Sequence, residues 1–290
     1  MLKPVASGRL CKLARSNGAA IAFGTNNVES LANMKGLARS LCPPLIWNFA
    51  RRHFGSGRYS LPPSQIACDD DFTAWMSFIV PGMLDRGNIE LFSHCFAHLP
   101  SNAPIIEIGS FAGRSLNYII HLLRKTGRTN EVFSVDHWGF EGARPGDKIG
   151  GIVPFDAYRE QVIETFRRNA MLFSGDRLPH HIELNSNAFF DAWQAKQTRV
   201  DFFGTTVQLG GPIAFAYIDG EHTYSQSKKD FENVDRFLEP GGFIVFDDSA
   251  DGSKWESNRT AREATDLPRY ELLAKNPNYC LRKRPAMCSH

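Results

Sequence analysis

The sequence predicts an α/β fold: a doubly wound, mostly parallel seven-stranded sheet with helices on both faces, a C-terminal antiparallel hairpin and an N-terminal helical extension. Three observations carry that prediction. From residue 103 to residue 267, short apolar runs alternate with longer segments of helical periodicity, the signature of parallel strands joined by crossover helices. Pro100-Ser101-Asn102, Glu239-Pro240-Gly241-Gly242 and Asn276-Pro277-Asn278 break the chain where turns are needed. The composition, 42% apolar and 22% charged over 290 residues, gives enough core for a large domain and excludes a disordered or collagenous chain.

Each element follows from local pattern. Apolar residues at three- and four-residue spacings predict helices over Phe72–Met83 and Asn88–Leu99. Ala103–Ile108 reads as a buried strand and Gly113–Lys125 as the helix after it. Glu131–Val135 is strand-like, Phe155–Phe173 is a long amphipathic helix, and His181–Leu184 is a weak strand backed by a helix over Ala188–Gln197. Pro212–Ile218 is a second buried strand, followed by a helix over Ser225–Leu238. The Pro-Gly-Gly turn launches a strand over Phe243–Phe246, and Arg269–Leu273 with Tyr279–Arg282 closes the chain as a hairpin. Composition divides the chain at about residues 58 and 99: a basic, partly ordered extension (1–58), a helical cap or substrate-side extension (59–99), and the sheet-bearing domain (100–290).

Charge is unevenly distributed. Residues 1–58 hold nine Lys or Arg against one acid, Glu29, so the remainder is net acidic and excludes a nucleic-acid-binding stripe. Within that basic segment, residues 37–58 combine Leu41, Leu45, Ile46, Trp47 and Phe49 with Arg39, Arg51 and Arg52. Two readings stand: a weak peripheral contact with anionic lipid, or packing on its own domain or on a second subunit of a homo-oligomer. The six cysteines form no C-x-x-C pair and no secretory signal is evident, which predicts a cytoplasmic protein. No run approaches the 18 apolar residues of a membrane-spanning helix.

In doubly wound sheets, ligands sit at the carboxyl ends of the strands. The first strand ends in Glu107-Ile108-Gly109-Ser110-Phe111-Ala112-Gly113. Its glycines permit close approach of backbone to ligand, but the spacing is not that of a dinucleotide-binding turn, and Glu107 suits a cationic or hydroxyl-bearing ligand better than a phosphate. Asp136 follows the second strand, placed to accept ribose hydroxyls, and His137 stands beside it. His137-Trp138 and the glycine-rich run to residue 151 read as a mobile cover. The later strands deliver Asp219-Gly220-Glu221-His222 and Asp247-Asp248. Three neighbouring carboxylates repel one another and suit a divalent cation such as Mg²⁺, while His222 is a candidate general base.

With these elements in order, the sequence resembles a class I S-adenosylmethionine-dependent methyltransferase over roughly residues 100–285. Glu107-x-Gly109-x-x-x-Gly113, Asp136, Ile218-Asp219-Gly220-Glu221-His222 and the Pro240-Gly241-Gly242-strand-Asp247-Asp248 element carry the likeness. The resemblance implies that Gly109, Ser110 and Gly113, with Glu107 beneath them, hold the methionyl end of the cofactor. Asp136 and His137 would hold the ribose region, Asn185 and Ser186 the adenine edge, with Asp219 closing the site. Within the family, the paired acids resemble the metal-dependent sugar O-methyltransferases of macrolide biosynthesis. That implies Asp219, Asp247 and Asp248 as ligands of Mg²⁺ or another divalent cation, and His222 with Asp219 as the catalytic pair. The expected reaction is methyl transfer to a hydroxyl of a sugar or glycan-like small molecule. The alternatives are a metal-independent methyltransferase, a nicotinamide-dependent dehydrogenase and a non-catalytic partner platform.

Overall fold

The computed structural model describes residues 70–140 and 143–285, all within the compact unit Ser56–His290. The expectations for residues 1–58, including the contact through residues 37–58, lie outside the described residues. The elements, in chain order, are α1 (Asp71–Ile79), α2 (Arg86–Ala97), β1 (Ile105–Ile108), α3 (Arg114–Lys125), β2 (Val132–Val135), β3 (Lys148–Ile149), β4 (Val153–Pro154) and α4 (Phe155–Ser174). They continue with β5 (His180–Ile182), α5 (Ser186–Gln194), β6 (Thr198–Val200), β7 (Thr206–Gln208), β8 (Ile213–Ile218) and α6 (Tyr224–Phe237). The chain closes with β9 (Leu238–Phe246), α7 (Ser257–Thr265), β10 (Tyr270–Lys275) and β11 (Tyr279–Lys283).

The seven-stranded sheet has the order β10-β11-β9-β8-β1-β2-β5. The five strands from β9 to β5 are mutually parallel, and β11 runs antiparallel to both β9 and β10. Every residue of β1, β2 and β8 is buried, as expected of central strands covered on both faces. From Phe215 onward, successive residues of β8 enter opposite cores. Phe215 and Tyr217 pack with α1, α2, α3 and α4, whereas Ala216 and Ile218 pack with α5, α6 and α7. The described helices therefore divide four and three between the two faces. Helix α2 is part of the first core: Phe92 meets Tyr217 edge-on at 4.9 Å and Phe96 meets Phe215 at 5.0 Å.

Some boundaries differ from the sequence expectation. Helix α1 ends at Ile79 rather than continuing to Met83, because Val80 precedes a proline and takes an extended ψ of 112°. The Pro-Gly-Gly segment does not precede a strand but lies inside β9, which absorbs it through a register shift against β8. Two small antiparallel ribbons, β3–β4 and β6–β7, appear where no strand was expected. Trp138 is not part of a mobile cover. It is 1% exposed, packs on Phe166 and His181, and donates its indole N–H to the Phe111 carbonyl.

Candidate active site

Sheet register builds the site. Ile108 pairs with Val135 on one side and Ile218 on the other, and Ile218 pairs with Phe246. The residues that follow, Gly109, Asp136, Asp219 and Asp247, therefore emerge together along one edge of the sheet. All four line one cavity of about 970 Å³, with Ser110, His137, Asn185, Ser186, His222 and Asp248.

The glycine-turn end of the cavity is built by backbone. Gly109 has φ +85°, and a Cβ there would lie 1.9 Å from the Asp219 carbonyl oxygen, so only glycine lets the two strand ends approach. The Asp136 carboxylate accepts from the N–H groups of Ser110 (2.9 Å), Phe111 (3.1 Å) and Trp138 (2.7 Å). A carboxylate has about four acceptor positions. Three being taken by backbone, Asp136 has room for one ligand hydroxyl rather than the pair expected from the sequence. It is as much the clamp of the glycine turn as a ligand group.

Glu107 and Gly113 do not line the cavity. Gly113, at φ +83°, caps α3 against the Phe166 ring. Glu107 is fully buried beneath the turn and accepts from the Ser110 hydroxyl at 3.0 Å, while among the described residues its other oxygen has no partner within hydrogen-bond distance. Burial pushes its carboxyl up to about 8, against the opposing help of Ser115 and Ser110, and the Asp136 charge adds to the rise. Its influence on a ligand passes through Ser110. Asn185 caps α5, accepting from the Ala188 N–H at 2.9 Å, and Ser186 donates to Asp230 at 2.6 Å. Both side chains are thus committed to protein partners.

The opposite end is built by side chains from distant parts of the chain. The same Asp247 oxygen accepts from the amides of Asn88 on α2 and Asn278 before β11, each at 2.6 Å. The Asn278 amide also donates to Asn88 at 3.1 Å, and Asn88 donates to the Tyr217 hydroxyl at 3.2 Å. Asp219 shares a hydrogen bond with Asp247. Burial, and then the Asp247 charge, hold its carboxyl well above the usual range. Asp248, in the left-handed region at φ +49°, turns the other way and places its carboxylate 3.1 Å from His222 Nε2. Burial and the Asp247 charge raise the Asp248 carboxyl, and His222 opposes them.

The three acids expected to form a metal triad therefore line one cavity but do not converge. Among the described residues no three His, Cys, Asp or Glu side chains form a metal-holding group. The physical reason is charge: crowded carboxylates repel one another, burial and the Asp247 charge hold the Asp219 carboxyl high, and Asp248 turns to an imidazole. The donor set itself, three carboxylates at neighbouring strand ends, still fits a hard divalent cation.

Sequence reasoning missed several site residues. Arg114, first residue of α3, donates to the carbonyls of Gly82 (2.6 Å) and Ser77 (3.3 Å) and pins the loop after α1 against the cavity. Trp255 stands edge-on to the His222 ring at 4.7 Å. Asp230, at 1% exposure on the inner face of α6, borders the cavity with one oxygen unpartnered, and burial lifts its carboxyl to about 6. A signal existed for it. An acid shares the buried stripe of Ser227, Phe231 and Val234, where an apolar residue is the norm.

Residues 106–249, the span from β1 to just past Asp248, match a family model described as a methyltransferase domain. The chain carries a methyltransferase domain over this span. That sets aside the nicotinamide-dependent alternative. Several solved structures are similar to it. Cofactor-bound Rv0187 from MTB matches at 15% identity with a TM-score of 0.48, over 83% of this chain and 97% of that one. The O-methyltransferase from Bacillus cereus in complex with SAH matches at 13% identity and TM-score 0.45, over 83% and 97%. CalS11, described as a TDP-rhamnose 3'-O-methyltransferase, matches at 18% identity and TM-score 0.43, over 90% and 97%. The Gly109 turn and Asp136 line the same cavity as the carboxylate cluster and His222. No helix among the described residues is long and apolar enough to cross a membrane.

Proposed function

We propose that this methyltransferase acts on oxygen, transferring the methyl group to a hydroxyl of a sugar or glycan-like small molecule with the help of a divalent cation. The observation that carries the reading is the His222–Asp248 pair, 3.1 Å apart, in the same cavity as the glycine turn. An alcohol is a poor nucleophile until its proton leaves, so a base at this position is what oxygen methylation needs and what an already nucleophilic acceptor does not.

S-adenosylmethionine supplies a methyl group already activated on a sulfonium. The chain's task is alignment and proton removal. His222 takes the hydroxyl proton, the Asp248 carboxylate stabilises the imidazolium that results, and Trp255 limits the ring's motion. Asn88 and Asn278 hold Asp247 in place, leaving Asp219 and Asp248 to respond to what enters. A divalent cation held by Asp219, Asp247 and Asp248 would lower the pKa of a hydroxyl beside it. The metal-independent alternative is favoured by one observation: among the described residues no three His, Cys, Asp or Glu side chains form a metal-holding group.

The test is methylation of a panel of free glycosides and sugar nucleotides, with and without chelator. Turnover by His222→Ala should fall roughly 10²–10⁴-fold, the usual contribution of a general base. Separately, Mg²⁺ should raise the melting temperature of the parent in the presence of S-adenosylhomocysteine, and Asp247→Asn should lose that rise. Wild-type turnover by His222→Ala would remove the base. Full activity in chelator with no Mg²⁺ shift would leave the metal-independent reading.

A further inference from the structure

Helix α1 is apolar on both sides. Met76 and Val80 are buried in the core at 0% and 1% exposure. On the outer side Trp75, Phe78 and Ile79, spaced i, i+3 and i+4, are 71%, 85% and 62% exposed. Met83, on the loop that follows, is 92% exposed and also lines the active-site cavity, so the apolar face runs onto the rim of the site. Charge is confined to the far end of the helix. Asp70, its N-cap, meets Lys125 at 2.8 Å and His121 at 2.9 Å, and within α1 only Asp71, in the first turn, is charged. The outer face from Trp75 to the cavity rim carries no charge of its own. A contiguous exposed patch of two aromatic and two aliphatic side chains is an interaction surface, since soluble proteins rarely leave such a face to water.

We propose that the outer face of α1, with Met83, seats the enzyme on an anionic lipid surface, so that the active-site mouth opens at the headgroup layer. Two observations select a lipid surface over a second copy of the chain. Residues 1–58, upstream of α1 in sequence, carry nine bases against one acid. Two such segments repel each other, whereas each basic residue near an anionic leaflet is attracted to it. Among the described residues the patch is also small: four side chains, where a stable protein interface uses roughly 20–30 residues on each side. Tryptophan and phenylalanine beside a polar site are the side chains that enter the headgroup boundary most favourably. This inference concerns where the enzyme sits and does not depend on the identity of its acceptor.

The test is co-sedimentation of the full chain with vesicles of mixed phosphatidylglycerol and phosphatidylcholine, compared with phosphatidylcholine alone. The parent should pellet with the anionic vesicles, weakly with the neutral ones, and less as salt is raised. Trp75→Ser with Phe78→Ser should cut the partition coefficient about tenfold or more, because two large apolar side chains no longer leave water. The double variant should keep its thermal shift with S-adenosylhomocysteine, which shows the fold intact. If it loses that shift, Met83→Ser on the loop decides, with a smaller loss expected. No pelleting of the parent would overturn the proposal, as would equal pelleting of parent and folded variant. A parent that sediments as a dimer and becomes monomeric on substitution would assign the face to a second copy instead.

Discussion

The two ends of the active-site cavity are made by different means. At the glycine-turn end, proposed here to hold the cofactor, a single carboxylate, Asp136, is tied to three backbone N–H groups within 26 residues of it, and glycine geometry does the shaping. At the carboxylate end, Asp247 is held by Asn88 and Asn278, which lie 159 and 31 residues away along the chain. The first end is local and made largely of main chain. The second is assembled only when α2 and the C-terminal hairpin have docked on the sheet. Substitutions should therefore separate cofactor binding from the arrangement of the acids, and the size of each effect should follow the means of construction.

The largest effect is expected at Gly109. Gly109→Ala places a methyl group 1.9 Å from the Asp219 carbonyl in a left-handed backbone, where strain alone is worth about 1–3 kcal/mol. The clash is with backbone, so the strand ends must part. Thermal denaturation should show a large loss of stability and no upward shift with S-adenosylhomocysteine. A variant that melts like the parent would mean the two strand ends are not in contact.

Glu107→Gln sharpens the comparison at the buried floor of the same end. Because the folded carboxyl is raised from 4.5 to about 8, the folded state holds a proton that the unfolded chain releases. The parent's stability therefore falls as pH rises from about 4.5 to about 8 and levels off above that. The neutral amide removes this slope. Near pH 4 the two proteins should match closely. Near pH 8 the variant should be more stable by a few kcal/mol, since each tenfold change in proton affinity is worth about 1.4 kcal/mol. Parallel stability–pH curves for the two would show that Glu107 is ionised when buried.

Smaller effects are expected from Asn88→Ala. The substitution removes one of two amides from Asp247 and leaves the Tyr217 hydroxyl without that donor, a cost of about 1–3 kcal/mol. The affinity for S-adenosylhomocysteine by titration calorimetry should stay within a few-fold of the parent, while the Mg²⁺ response weakens. A large loss of cofactor affinity would erase the distinction between the two ends.

The same contrast explains what the sequence reveals and what it hides. Buried parallel strands such as Ile213–Ile218 and the glycine turn after β1 are legible because their causes are local: an unbroken apolar run, and a backbone that only glycine permits. Strand-end position alone brings Asp136, Asp219 and Asp247 to one edge, since register in a parallel sheet follows from pairing the apolar runs. The β6–β7 ribbon is hidden because Thr198–Val200 is wholly exposed and carries no buried face to set a period. Asn88 sits in a helix with nothing in its neighbourhood to mark it, and its partner is far along the chain. The disposition of the acids is likewise not readable. Whether carboxylates gather round a cation or share a proton depends on their distances, which spacing along the chain does not contain. The commitment of Asn185 to its helix cap was open to view, because Asn before a helical stretch is a favoured N-cap.

The most direct test is S-adenosylhomocysteine titrated by calorimetry into the parent, Asp136→Ala and His222→Ala. Asp136→Ala should bind at least tenfold more weakly, because the glycine turn loses the acceptor of three backbone N–H groups and the ligand loses a charged one. His222→Ala should bind as the parent does, since the imidazole stands at the acceptor end against Asp248 and Trp255. Equal weakening in both variants, or none in Asp136→Ala, would contradict the division of this cavity into a cofactor end and a chemical end.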